Sequence, residues 1–84
     1  MPIISRFYGI IIRMYFQQAE HNPPHIHAIY GEDMAAIDIR TGNVLEGHLP
    51  PKALVLVRDW LVIHRDDLLH IWETQDFKSL PPLE

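Results

Sequence analysis

Residues 25–48 read HIHAIYGEDMAAIDIRTGNVLEGH, and the reading of this stretch decides the fold. Three segments rich in β-branched, aromatic and other apolar residues, His25 to Tyr30, Met34 to Arg40 and Val44 to His48, have the character of strands. Between them stand Gly31-Glu32-Asp33 and Thr41-Gly42-Asn43. Each supplies a glycine able to take the positive φ that tight hairpins demand. Loops this short join antiparallel neighbours, because a parallel pair needs a long crossover. The stretch therefore predicts an antiparallel meander.

Working outward, Ile10 to Phe16 has the same strand character. The connection Gln17 to Pro24 ends in two prolines, which fix extended backbone and push Asn22 away from helix, so it reads as a stiff, extended loop. Ile3 to Phe7 is left open as a fifth strand. Downstream, Pro50-Pro51 can start a helix, since the missing N–H of a first-turn proline costs nothing there. From Lys52 to about Gln75, Ala53, Leu54, Val57, Trp60, Leu61, His64, Leu68, Ile71 and Trp72 recur at helical spacing and share one face. One long helix on the sheet is the prediction, with a break at Asp66 acting as an N-cap as the alternative. The expected class is α+β: a four-stranded antiparallel meander, five if Ile3 to Phe7 joins it, packed against a C-terminal helix. Residues 1–76 are read as one domain and 77–84, with Pro81-Pro82, as an extended tail.

Composition excludes several functions. There is no cysteine, so disulfides, thiolate metal ligands and thiol nucleophiles cannot enter, and a reducing, cytoplasmic setting fits. The apolar start, Met1 to Phe16, is interrupted by Arg6 and Arg13 and does not read as a signal peptide. No apolar run approaches the ~18 residues of a membrane span. A formal net charge of −4 opposes broad attraction to nucleic acid. Residues 1–19 nevertheless hold Arg6 and Arg13 and no acid, which leaves room for a local basic patch.

Strand alternation sorts the side chains into two sets. Ile12, Met14, Ile26, Ala28, Ala35, Ile37, Ile39 and Leu45 form one apolar set, the expected core face. Arg13, Tyr15, His25, His27, Asp38, Arg40, Glu46 and His48 collect on the other, and the helix has nothing left to cover them. A wet sheet face needs polar residues, with Asp38 paired to an arginine across strands, and that is the plain reading. The kind of polar group points further: Arg, Tyr and His grip phosphates, stack on bases and transfer protons. On the helix, Val55, Val62 and Leu69 stand seven apart on the side away from the sheet, among Arg58, Arg65, Asp66 and Glu73. Such a stripe suits another helix, unless Leu80 and Leu83 of the tail fold back over it.

The run His21-Asn22-Pro23-Pro24-His25-Ile26-His27 is the most distinctive in the chain. On a strand His25 and His27 point to one face, about 6.6 Å apart at Cα, close enough to share a divalent metal such as zinc. His21 could add a third ligand. Alternatively His25 or His27 serves as general acid or base while Arg13 or Arg40 steadies a phosphate, a metal-free ribonuclease chemistry. His64 lies on the apolar helix stripe beside Trp60 and reads as a core histidine, while His48 and His70 read as exposed.

Three motifs together, Ile4-Ser5-Arg6-Phe7-Tyr8-Gly9-Ile10, His21 to Ala28, and Glu46-Gly47-His48-Leu49-Pro50, with Trp60, His64 and Trp72, resemble the short bacterial proteins grouped as domain of unknown function 4160. The resemblance spans residues 2 to about 75. Two departures stand out: Gln17-Gln18-Ala19-Glu20 where a turn of Asn/Asp type is expected, and the segment after Gln75. The resemblance implies a gene pair with a second small protein, of toxin–antitoxin type, and assigns neither a reaction nor catalytic residues. The leading expectation is a component that binds such a partner, or itself, through the sheet edge or the helix stripe, with His21, Asn22, His25, His27, Val55, Val62 and Leu69 as contact residues. A ribonuclease using Arg13, Tyr15, His25, His27 and Arg40 is the rival, and a transcriptional regulator, lacking any helix-turn-helix signal, comes third.

Overall fold

The computed structural model describes residues 3–15 and 23–83. Five strands, β1 (Ile3–Phe7), β2 (Ile10–Arg13), β3 (His25–Tyr30), β4 (Asp33–Asp38) and β5 (Val44–Gly47), precede one helix, α1 (Pro51–Thr74). The strands form a single antiparallel sheet in chain order, so the meander has five strands and Ile3–Phe7 is the fifth. β1 and β2 are joined by Tyr8-Gly9, both at positive φ (49° and 80°), the backbone of a type I′ hairpin.

α1 lies on one face. It starts at Pro51, runs unbroken through Asp66 and closes at Gln75, whose left-handed backbone turns its N–H onto the Ile71 carbonyl. Ala53, Val57, Trp60, Leu61, Leu68, Ile71 and Trp72 are buried against Ile10, Ile12, Met14, Ile26, Ala28, Ala35, Ile37 and Ile39. Two arginines fasten the helix to the β4–β5 turn: Arg58 Nε donates to the Gly42 carbonyl (2.9 Å) and Arg65 Nε to that of Ile39 (2.9 Å). His64 is half-buried with its ring 5.0 Å from Trp60.

The tail is docked. Leu80 is buried, its N–H donates to the Ile4 carbonyl (2.8 Å), and Trp60 Nε1 donates to Pro81 O (2.8 Å). Leu80 and Leu83 pack on the core rather than over the helix stripe, so Val55 and Val62 remain exposed. Leu69 departs from that stripe too and packs, partly buried, on the core.

Leu45 does not belong to the core. β5 pairs with β4 through Gly47 opposite Ala35, Glu46 opposite Ala36 and Val44 opposite Ile37, so Leu45 is the extra residue of a bulge and is 45% exposed. A bulged residue loses the strict alternation on which face assignment rests. Gly47 holds this register: at φ +81°, a Cβ there would collide with the Met34 carbonyl oxygen.

Candidate functional site on the open sheet face

The strand register sets the face opposite α1 into rows. One row runs Ile3, Arg13, His27, Ala36, Glu46, each residue the cross-strand partner of the next. Beside it runs Arg6, Ile11, Ile29, Met34. With strands about 4.8 Å apart, Arg13 and Glu46 stand roughly 14 Å from each other, His27 and the small Ala36 between them. Ala36 leaves a dip, an open basin of about 400 Å³ lined with Pro23, His25, Leu45 and Glu46.

Four rings follow one another from this face to the edge of the core. Tyr15 meets His27 edge-on at 4.4 Å between centroids, His27 meets His25 edge-on at 5.2 Å, and His25 meets Trp72 at 5.1 Å. His25, at the first position of β3, therefore bridges the open face and the buried Trp72 at the edge of the core. Trp72, near the C-terminal end of α1, lies beside the first residue of β3. His25 Nδ1 is 2.8 Å from the Pro23 carbonyl. A carbonyl can only accept, so Nδ1 carries the proton, and in the neutral ring Nε2 keeps its lone pair. The extended Pro23-Pro24 backbone thus fixes the tautomer of the histidine that follows it.

Burial pushes the His27 imidazole below its ordinary value of 6.5; the neighbouring His25 acts the same way and Glu46 opposes both. His27 is therefore neutral at pH 7. Among the described residues its buried Nδ1 has no hydrogen-bond partner, nor has the buried Nε of its cross-strand neighbour Arg13. Each such orphan costs about 1–3 kcal/mol.

Arg13, Tyr15, His25, His27 and Glu46 are brought together; Arg40 is not. β4 ends at Asp38, and the Asp38 carboxylate accepts the N–H groups of Arg40 (2.7 Å) and Thr41 (3.2 Å), wrapping Arg40 into an exposed turn. Asp38 serves this turn instead of pairing with an arginine across strands. His48 and His70 are exposed. Among the described residues no three His, Asp or Glu side chains assemble where they could hold a metal ion. His21 and Asn22, the remaining expected contacts, lie outside the described residues.

The apolar row was missed at the level of sequence. Ile11, Ile29 and Met34 are out of phase with the core set, and Met34 is 48% exposed. Their phase was the available signal. A family model described as Domain of unknown function (DUF4160) matches residues 9–73. The chain belongs to the DUF4160 family. No curated protein and no solved structure matches it. β1 and the docked tail, which pair through Ile4 and Leu80, fall outside the matched span. No helix among the described residues is long and apolar enough to cross a membrane.

Proposed function

We propose that this DUF4160 protein is the partner-binding component of a two-protein bacterial module of toxin–antitoxin type, and that its partner, a second small protein encoded nearby, sits on the open sheet face. The observation that carries this reading is the pairing of rows: an apolar row, Ile11, Ile29 and Met34, running alongside Arg13, His27 and Glu46. Stable protein interfaces combine an apolar centre with Arg, Met and aromatic anchors and are poor in Lys. The open face has that composition; Tyr15 and His25 supply the rings and no lysine stands in the rows. A net charge of −4 favours a protein over a polyanion. Co-expression with the adjacent gene product, followed by capture of this chain, tests it. The wild type should retain the partner, and Met34→Asp or Arg13→Glu should release it without loss of fold. Retention by both variants, or a wild type that ignores the product, refutes it.

A ribonuclease is the second reading, supported by one observation: His25, its Nδ1 held by the Pro23 carbonyl, stands 5.2 Å, ring to ring, from His27, whose imidazole is pushed below its ordinary value by burial, and Arg13 is in the same row as His27. It predicts RNA cleavage, and growth arrest on induction, that His25→Ala together with His27→Ala abolishes at an unchanged melting temperature. Absence of cleavage by the folded wild type removes this reading.

A further inference from the structure

The side of α1 turned away from the sheet carries an apolar stripe that the tail leaves uncovered: Val55 is 57% and Val62 62% exposed. At about 100° per residue, positions seven apart drift by only ~20°, so Val55 and Val62 form one line, which ends before Leu69, where the chain packs on the core. The two flanks of this line differ in sign. Arg58 and Arg65 stand on one side; Asp59 and Asp66 stand on the other. The arginines are held in place, since each Nε is bonded to the β4–β5 turn, and their terminal nitrogens remain to meet a carboxylate.

We infer that two copies of this chain associate through α1, with the helices parallel about a two-fold axis that runs along them. The charge pattern selects both the occupant and the direction. In a parallel two-fold pair, one flank of each helix faces the opposite flank of the other at the same height. Val55 then meets the second copy's Val55 and Val62 its Val62. Arg58 meets the second copy's Asp59 and Arg65 its Asp66, and both pairs are repeated by symmetry. An antiparallel pair would set the arginine flank against itself and the aspartate flank against itself. Ile63, also exposed, lies beyond the aspartate flank and outside this seam. The seam is narrow, which places the association in the weak, concentration-dependent class. It lies on the opposite side of the molecule from the open sheet face, so it stands independently of the partner reading above.

Sedimentation velocity of the full chain over a concentration series, up to about millimolar, tests the inference. The wild type should pass from monomer to dimer, and Val62→Asp should weaken the association at least tenfold while melting as the wild type does. Asp59→Arg with Asp66→Arg gives a variant with two positive flanks; Arg58→Asp with Arg65→Asp gives one with two negative flanks. Each alone should stay monomeric where the wild type dimerises, and their equimolar mixture should dimerise. The first variant keeps the arginine bonds to the turn, so its loss of dimer does not reflect unfolding. Direction is read in this cysteine-free chain by Val55→Cys, which should cross-link to its own copy under mild oxidation. A wild type that stays monomeric throughout overturns the inference. So does cross-linking of Val55→Cys only when mixed with Val62→Cys, the antiparallel signature.

Discussion

Replacing Gly47 by alanine should remove a large share of the stability of this domain, and the structure permits the size to be worked out. Gly47 sits at φ +81°, where an L-residue costs about 1–2 kcal/mol. The new Cβ would also run into the Met34 carbonyl oxygen, which is backbone of the neighbouring strand and cannot swing aside. Relieving an overpacked contact of that kind costs about 1–3 kcal/mol more. The expected loss is about 2–5 kcal/mol, against a total of roughly 4–13 kcal/mol for a chain of this length. Gly31 provides the control. Its backbone is also left-handed, at φ +62°, but a Cβ there meets nothing within 4 Å. Gly31→Ala should therefore cost only about 1–2 kcal/mol. In thermal unfolding, Gly47→Ala should lower Tm by roughly 10–40 °C and Gly31→Ala by roughly 4–16 °C. Equal losses for the two variants would refute the collision with Met34 as the reason for glycine at 47. The consequence reaches the site, because this close approach sets the register that places Glu46 beside Ala36 and the histidine basin.

The titration of His27, followed by NMR, should fall below 6.5; His25→Ala should raise it by removing a like charge, and Glu46→Gln should lower it further by removing the opposing one. Because the folded value is depressed, the unfolded state takes up the proton first. The contribution of His27 to stability is therefore complete above about pH 6.5 and is lost as pH falls from there through the folded value, a dependence that chemical denaturation of His27→Gln should show flattened. Trp60→Phe should cost about 1–3 kcal/mol, through the lost bond to the Pro81 carbonyl and the space left by the smaller ring, and should speed hydrogen exchange at the Leu80 N–H. Asp38→Ala should cost about 1–2 kcal/mol, seen as a lowered urea midpoint, while Asp38→Asn, which keeps an acceptor for the Arg40 and Thr41 N–H groups, should cost less.

Much of this molecule follows from local pattern. The two glycine turns, the proline start of α1, its apolar face and seven of the eight expected core positions on the strands are dictated by periods of 2 and 3.6 residues, which are properties of a single segment. The same holds for the sharing of one face by Arg13, His25 and His27, which follows from alternation within their strands, whereas Glu46 joins them through the register that Gly47 sets.

Tertiary structure decided the rest, where a residue answers to something distant in the chain. Leu45 left the core because Gly47, packed on the Met34 carbonyl, fixes a register that contains a bulge. Arg40 left the site because the Asp38 carboxylate, shorter in reach than any cross-strand pair, captures the two N–H groups that follow it. Trp72 came to His25, and Leu80 to Ile4, across separations of 47 and 76 residues that no period can encode. Tyr8, accepted at positive φ where Asn or Asp is the ordinary signal, joined β1 to the sheet because Phe7 and Ile10 pair on either side of it, and the burial of that strand outweighs the strain in the turn.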